Sequence, residues 1–377
     1  MANYPVVVYG ASGYTGMLTI DWLIDQNIPF KAVGRDAAHI KKMMGERVVR
    51  LESARYEIVE VEHDVDALAK AFKGSKVVCN TVGPFIKYGL TTVEAALKAG
   101  CHYIDTSGEQ GHVRNVREQF GELYRQAGLL VAPSVAYMFT FAEMAAELAL
   151  ETQGVDVLET GTICRFPRTG ESGVTVGSTA TMMEMFRSPA TYLWENELVD
   201  YSPTDSFNIC APDYLQPVFA LPWSGTSLPL FYQQDPRVRS CISAVGFYDT
   251  DVMKTVYALG QQWDAEYKDL PVEEQDAILK GIQDSTTPSM PPRERTTVQR
   301  TTDFAIGRGH TVAVRATVHG LMPYISTGAV QTAAVMKLLD NDIAQAGFSS
   351  ACKAFGHHYL LGFLEQRRLA RAKVIEL

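Results

Sequence analysis

The sequence lacks the devices by which many chains hold structural metal, cross membranes or bind nucleic acid. Its six cysteines (79, 101, 164, 210, 241 and 352) are scattered, with no C-x-x-C pair to build a zinc site, so no metal is expected. Cys79 and Cys101 fall in expected core elements, where a reduced cysteine acts as a small hydrophobe. No run of about 18 apolar residues occurs, so no membrane span is expected. No basic block occurs either, and 34 Lys and Arg against 43 Asp and Glu leave a net charge of −9. That balance argues against nucleic acid and anionic membrane surfaces as partners. Met1-Ala2-Asn3-Tyr4-Pro5 has no basic n-region and leads straight into a strand, so the expectation is a cytoplasmic chain without a signal peptide. Internal repeats and low-complexity tracts are absent. What is present is 377 residues with 46% hydrophobic and 20% charged content. This suits a folded chain long enough for two domains, each with its own core.

The chain is organised around its first turn. Val6, Val7, Val8 and Tyr9 make an apolar run that reads as a buried parallel strand. Gly10, Ala11, Ser12, Gly13, Tyr14, Thr15 and Gly16 follow as G-x-x-G-x-x-G, and Met17 to Ile24 continue with a helical apolar pattern. In that order the glycines allow a tight turn, close approach of backbone to a pyrophosphate, and close packing of helix on strand. The helix N-terminus adds N–H donors and partial positive charge for the phosphates. Phe30 to Gly34 reads as the second strand, and Arg35 follows it, where an arginine accommodates the 2′-phosphate of NADP. Asp36 lies where an acidic residue would select NAD, but it also suits the N-cap of a helix over Ala37 to Met44. The expected cofactor is NADP(H). Thr81, Val82, Gly83, Pro84 and Phe85 close the next strand, Lys76 to Asn80, and are expected to border the nicotinamide.

Further strands are expected at Glu57 to Glu62, Cys101 to Asp105 and Leu129 to Pro133, with a short extra one over Val48 to Leu51. Helices are expected over Asp64 to Phe72, Thr91 to Ala99 and Val113 to Ala127. Six βα units in succession predict an α/β fold: a Rossmann doubly wound parallel sheet over residues 1–150. From Val155 the texture changes to strand-like stretches at Val155 to Phe166 and Thr296 to Val318, with Gly307-Arg308-Gly309 as the hairpin turn. Between them lies an aromatic segment that includes Tyr201, Phe219, Trp223, Phe231, Tyr232 and Tyr248, punctuated by prolines such as Pro203 and read as core. An inserted α+β domain, an all-β sheet with helices on one face, is expected over 151–322 for substrate or dimerisation. C-terminal helices over 323–377 are expected to pack back on the first domain.

Hydride transfer needs alignment with a cofactor and a proton source, and no covalent nucleophile. Tyr88, Tyr137 and Asp105 are the candidate proton donors or relays, with Lys87 and Glu109 nearby in sequence. No Tyr-x-x-x-Lys pair follows the fourth strand, which weakens a short-chain dehydrogenase reading. Four segments in order, Gly10 to Gly16, Val33-Gly34-Arg35, Asn80 to Phe85 with Tyr88-Gly89, and Tyr103 to Glu109, resemble the saccharopine dehydrogenase-like oxidoreductases. Within that family the likeness is to the trans-acting enoyl reductase branch. Gly177-Ser178-Thr179 and Ala354-Phe355-Gly356 extend it more loosely. The resemblance implies an NADP-binding Rossmann domain, an inserted α+β domain used in substrate binding or in forming a homodimer, and reductase activity on a small-molecule substrate. The aromatic second half fits an apolar substrate with a C=C bond conjugated to a carbonyl. C=N reduction, with Arg165 or Arg168 holding a carboxylate, and silent NADP(H) binding are the alternatives.

Overall fold

Strand and helix alternate strictly through the first 150 residues of the computed structural model, which describes residues 4–166, 173–202, 204–222, 227–286 and 289–377. In chain order the elements are β1 (Val6–Tyr9), α1 (Tyr14–Asp25), β2 (Phe30–Gly34), α2 (Ala37–Arg47), β3 (Tyr56–Glu60) and α3 (Val65–Phe72). They continue with β4 (Val77–Asn80), α4 (Phe85–Ala99), β5 (His102–Asp105), α5 (Gln110–Gln126), β6 (Leu130–Ala132) and α6 (Tyr137–Leu150). The second run begins with β7 (Val155–Arg165), α7 (Val176–Glu184), β8 (Thr191–Trp194), β9 (Glu197–Asp200), β10 (Phe207–Ile209) and β11 (Val218–Leu221). It goes on through α8 (Leu228–Tyr232), β12 (Ser240–Phe247), α9 (Thr250–Gln262), α10 (Val272–Thr286), β13 (Arg300–Gly309) and β14 (Ala313–Leu321). The chain closes with α11 (Pro323–Leu339), β15 (Gly347–Phe348), α12 (Ala351–Phe355), α13 (His357–Gln366) and β16 (Ala370–Glu376).

The first sheet has seven parallel strands in the order β15-β6-β5-β4-β1-β2-β3. Apolar β-branched residues with both faces covered make β1 wholly buried, as a central parallel strand requires. The order reverses between β1 and β4, the switch point outside which ligands of such sheets bind. Val7, Tyr9, Leu68, Phe72, Val93, Ala96, Val116 and Tyr124 belong to one core on this sheet. This is the Rossmann-type doubly wound fold the βα rhythm predicts.

The second sheet has nine strands, ordered β10-β11-β12-β7-β13-β14-β16, with β8 pairing β12 and β9. It is mixed rather than all-antiparallel, because β12 runs parallel to β7 over eight residue pairs. The chain divides into two units: 1–107, 111–140 and 324–364 form the first, and 108–110, 141–323 and 365–377 the second.

Three local expectations are corrected. Val48 to Leu51 is not a strand: the Val49 N–H donates to the Asp21 carboxylate at 2.7 Å, and Arg50 is left-handed with φ 60°. Gly307, Arg308 and Gly309 are not the hairpin turn but lie within β13, and residues 310–312 make the link. Gly309 is needed there because a Cβ would collide with the backbone of Gly154, so its glycine marks close approach rather than a turn. The tail is not helical throughout, since β15 joins the first sheet and β16 pairs with β14 in the second. Tyr201, Phe231, Tyr232 and Phe247 are buried, whereas Trp194 and Tyr248 are exposed. Arg168, Pro203 and Trp223 lie outside the described residues.

Candidate active site

The glycine turn has the shape its sequence demands. Gly10 takes φ 91°, a conformation that an L side chain rarely adopts, and a Cβ on it would stand 2.6 Å from Thr81 Oγ1. A Cβ on Gly16 would collide with the Gly10 carbonyl, so α1 lies against the loop as closely as backbone allows. The Gly13 N–H donates to the Gly10 carbonyl at 2.9 Å, and Gly13 occupies the N-cap of α1 without a capping side chain. The first turn thus faces outward with backbone donors, as an anion site needs. Ala11 is buried behind the turn, with Ser12 and Thr15 half-buried on it and Tyr14 packed edge-on against Tyr324 at 5.3 Å.

The loop after β4 is tied to that turn. Thr81 donates from its N–H to the Tyr9 carbonyl at 2.9 Å, and its hydroxyl reaches the same carbonyl at 3.0 Å. The Val82 N–H is held by the Asn80 side chain at 3.0 Å. Gly83 and Pro84 are joined by a cis peptide, and Phe85 buries its ring as α4 begins. These residues therefore gather around the crevice between β1 and β4.

At the end of β2, Gly34 packs against Ile40, and Arg35 is exposed beyond it. Asp36 accepts the His39 N–H at 2.8 Å as the N-cap of α2, which occupies the carboxylate that would otherwise compete for a ribose. A residue the sequence reading missed completes this end. His63, three residues beyond β3, accepts from or donates to the Tyr9 hydroxyl through Nδ1 at 2.8 Å. Burial pushes the Tyr9 phenol up to about 12, so it stays protonated, and His63 is its partner. Burial, then the Arg35 charge, hold His63 below the usual imidazole range. A neutral His63 that accepts at Nδ1 carries its proton on Nε2, which is buried and makes no well-formed hydrogen bond; the Tyr88 backbone approaches it weakly. The Tyr88 ring meets the His63 ring edge-on at 5.3 Å. Tyr88 thus stands beside His63, and its neighbour Gly89 lies against His112.

Asp105 closes β5. Its carboxylate is fully buried and accepts from the Ser107 N–H (2.9 Å) and hydroxyl (2.6 Å) and from the Ser134 N–H (2.9 Å). The Tyr103 hydroxyl and His112 Nε2 complete the set, each at 2.9 Å. Burial alone would raise this carboxyl, but His112 and the Ser107 donors outweigh it and hold it below the ordinary range. An ionised, saturated carboxylate has no proton to give and orders the ends of β5 and β6 instead. Ser134 is held there in a left-handed conformation, φ 63°, the kind of strain that clusters at functional sites. His112 fits only because Gly89 lacks a side chain: a Cβ would lie 2.7 Å from Nδ1. Tyr137 opens α6 just beyond β6, buried, with its N–H donating to Thr327 Oγ1 at 3.0 Å. Glu109 is buried and accepts the Gly108 N–H at 3.0 Å. The histidines were hard to see in sequence because each depends on a distant partner, Tyr9 for His63 and Gly89 for His112.

A glycine turn with no room for a Cβ on Gly10 or Gly16, a helix start without a capping side chain and an exposed arginine at the end of β2 together fit a phosphorylated dinucleotide. Comparison with known proteins agrees. Residues 6–131 match the saccharopine dehydrogenase NADP binding domain, so the glycine turn belongs to an NADP-binding domain of that kind. Residues 140–377, more than half of the chain, match the family of unknown function DUF5938, and the protein belongs to that family. A trans-acting enoyl reductase of Mycobacterium ulcerans is 27% identical over 248 residues, 59% of this chain and 57% of that one. A lipid droplet localized protein of Caenorhabditis elegans is 27% identical over 144 residues, 36% of this chain and 34% of that one. The chain therefore spans between about a third and just over half of the length of these relatives. The solved saccharopine dehydrogenase (L-Glu forming) of Saccharomyces cerevisiae shares the fold, with a TM-score of 0.63 at 14% identity over 98% of this chain and 99% of that one. Among the described residues no helix is long and apolar enough to cross a membrane.

Proposed function

We propose that the protein is an NADP(H)-dependent reductase that delivers hydride to a C=C bond conjugated to a carbonyl in a small molecule. The likeness to trans-acting enoyl reductases over 248 residues carries the choice of bond. Bound NADPH would supply the hydride; the chain's own residues bind, orient and protonate. Gly10, Gly13 and Gly16 hold the pyrophosphate, while Arg35 holds the adenosine phosphate, with Tyr88 closing that end. Thr81 to Phe85 border the nicotinamide. Asp105 is a positioning residue, fixing the β5 and β6 ends through Ser107, Ser134 and His112. Tyr137, at the first turn after β6, supplies the proton. Six free cysteines, five of them buried, support a reducing compartment such as the cytoplasm.

The test is NADPH consumption over a panel of enones, enoyl thioesters, and 2-oxo acids with amines, with products identified by mass. Reduction of the enone or enoyl members is expected. Turnover only when oxo acid and amine are supplied together would replace this reading with imine reduction. Tyr137→Phe should lower kcat by about 10²-fold or more while NADPH binding is unchanged, as for loss of a general acid. An unchanged kcat would remove Tyr137 from the chemistry.

A further inference from the structure

A cavity of about 1250 Å³ lies on the second sheet, within the second unit, where β7, β13, β14 and β16 run side by side. Arg165 of β7 is paired directly with Arg300 of β13, and His319 of β14 directly with Arg371 of β16. Residues paired across antiparallel strands share a face at about 5 Å, and like charges so placed are destabilising. Arg368, left-handed at φ 57°, adds a fourth arginine to the lining.

Elsewhere in the same unit arginines are neutralised: Arg239 by Asp156 and Glu195, Arg308 by Glu159, Arg237 by Asp235 and Glu147. Among the described residues the four cavity arginines have no such partner. Of the four carboxylates in the lining, two have a basic side-chain partner and two accept backbone N–H groups. Asp213 pairs with His319 at 3.1 Å and Asp251 with Lys254 at 3.2 Å. Asp249 caps α9, and Glu365 accepts the Ala372 N–H at 3.3 Å. Arg165 lies over the Tyr248 ring at 4.7 Å, a contact that holds the guanidinium without consuming its N–H donors. The ladder thus sets Arg165 and Arg300 side by side, and among the described residues no carboxylate of the lining forms an ion pair with either.

We propose that this pocket binds an organic polyanion, a small molecule carrying two or more phosphate or carboxylate groups. Paired guanidinium forks suit the bidentate geometry of both groups. Val218, Leu321 and Leu369 give the ligand's carbon frame an apolar wall, in a volume far beyond what one inorganic ion needs. The site is separate from the nucleotide crevice and does not depend on which bond is reduced.

The experiment is calorimetric titration of the full chain at low ionic strength with pyrophosphate and, separately, citrate, with NADP⁺ present to fill the glycine cradle. Saturable binding near one site per chain is expected. Arg300→Gln and Arg371→Gln should each weaken it at least tenfold, while Arg308→Gln, on the same sheet but already paired, should leave it unchanged. Without ligand, Arg300→Gln should melt no lower than the natural chain, since it removes one of two opposed charges; that also shows the variant is folded. Tighter pyrophosphate binding assigns a phosphorylated ligand, tighter citrate binding a carboxylate one. No saturable binding of either probe, or equal loss in Arg308→Gln and Arg300→Gln, overturns the proposal.

Discussion

At the scale of single residues, the nucleotide end of the first domain is a set of charges and donors with unequal standing. Arg35 stands exposed at the end of β2, where we propose it reads the 2′-phosphate of NADP, and its charge reaches both Tyr9 and His63. Arg35→Ala should therefore weaken NADPH binding by about 1.5–3 kcal/mol, the loss of one charge-assisted phosphate contact, and leave NADH binding nearly unchanged. Because the Arg35 charge acts on His63, Arg35→Ala and His63→Ala should be non-additive in fluorescence titration with NADPH. Equal weakening of NADH and NADPH would show that neither residue reads the phosphate. Asp105 makes a pH prediction with a definite sign. Its folded-state carboxyl lies below the ordinary range, so the unfolded chain takes up this proton first as pH falls. Its contribution is thus complete above the unfolded value of about 3.9 and is lost as pH falls through the lower folded value. Melting temperature should drop below about pH 4, and Asp105→Asn, which replaces one acceptor oxygen with an amide donor facing buried donors, should cost about 1–3 kcal/mol. A variant as stable as the natural chain would show that the carboxylate orders nothing.

At the scale of elements, what was legible in the sequence is what backbone sterics alone dictate. The turn from β1 to α1 was readable because Gly10 and Gly16 each answer a local need, a left-handed φ and a helix pressed on a carbonyl. The seven-stranded sheet was legible because parallel strands buried on both faces are continuous apolar runs. Elements whose identity is set by distant partners were not. Gly309 resembles a turn residue until Gly154 is seen behind it, and Val49 gives its N–H to Asp21 rather than to a ladder. β16 is charged and half exposed, so only its pairing with β14 makes it a strand. The candidate site divides in the same way: Arg35 and the glycines were readable, whereas His63 and His112 were not. Gly89 and His112 supply the test at this scale. Gly89→Ala should push the fully buried imidazole off Asp105 and destabilise the chain by about 1–3 kcal/mol, as overpacking does. In the His112→Ala background the same substitution should cost much less, since the space is then vacant. Additive losses in denaturant unfolding would show that the two residues do not share this space.

At the scale of the whole molecule, the change of sequence texture near residue 150 is not a cut point for folding. The first unit is built from three stretches of chain, and its last, residues 324–364, lies far downstream. That stretch backs α1. Gly328 lets α11 cross α1 so closely that a Cβ would stand 2.7 Å from the Leu18 carbonyl. Trp22 Nε1 donates to the Ile325 carbonyl at 3.0 Å, and the Thr19 hydroxyl donates to Gln331 Oε1 at 3.2 Å. β15 then covers the open edge of β6, where Gly347 pairs with Leu130. A fragment of residues 1–150 loses this cover from Leu18, Thr19 and Trp22 of α1. It should therefore lack a cooperative thermal transition, bind hydrophobic dyes, and bind NADPH weakly. Joining residues 1–140 to 324–364 through a short flexible linker should restore both the transition and the binding. A short linker suffices because the Tyr137 N–H already touches Thr327 Oγ1. If residues 1–150 alone melted cooperatively and bound NADPH as the full chain does, the downstream helices would be an ornament on a domain complete without them.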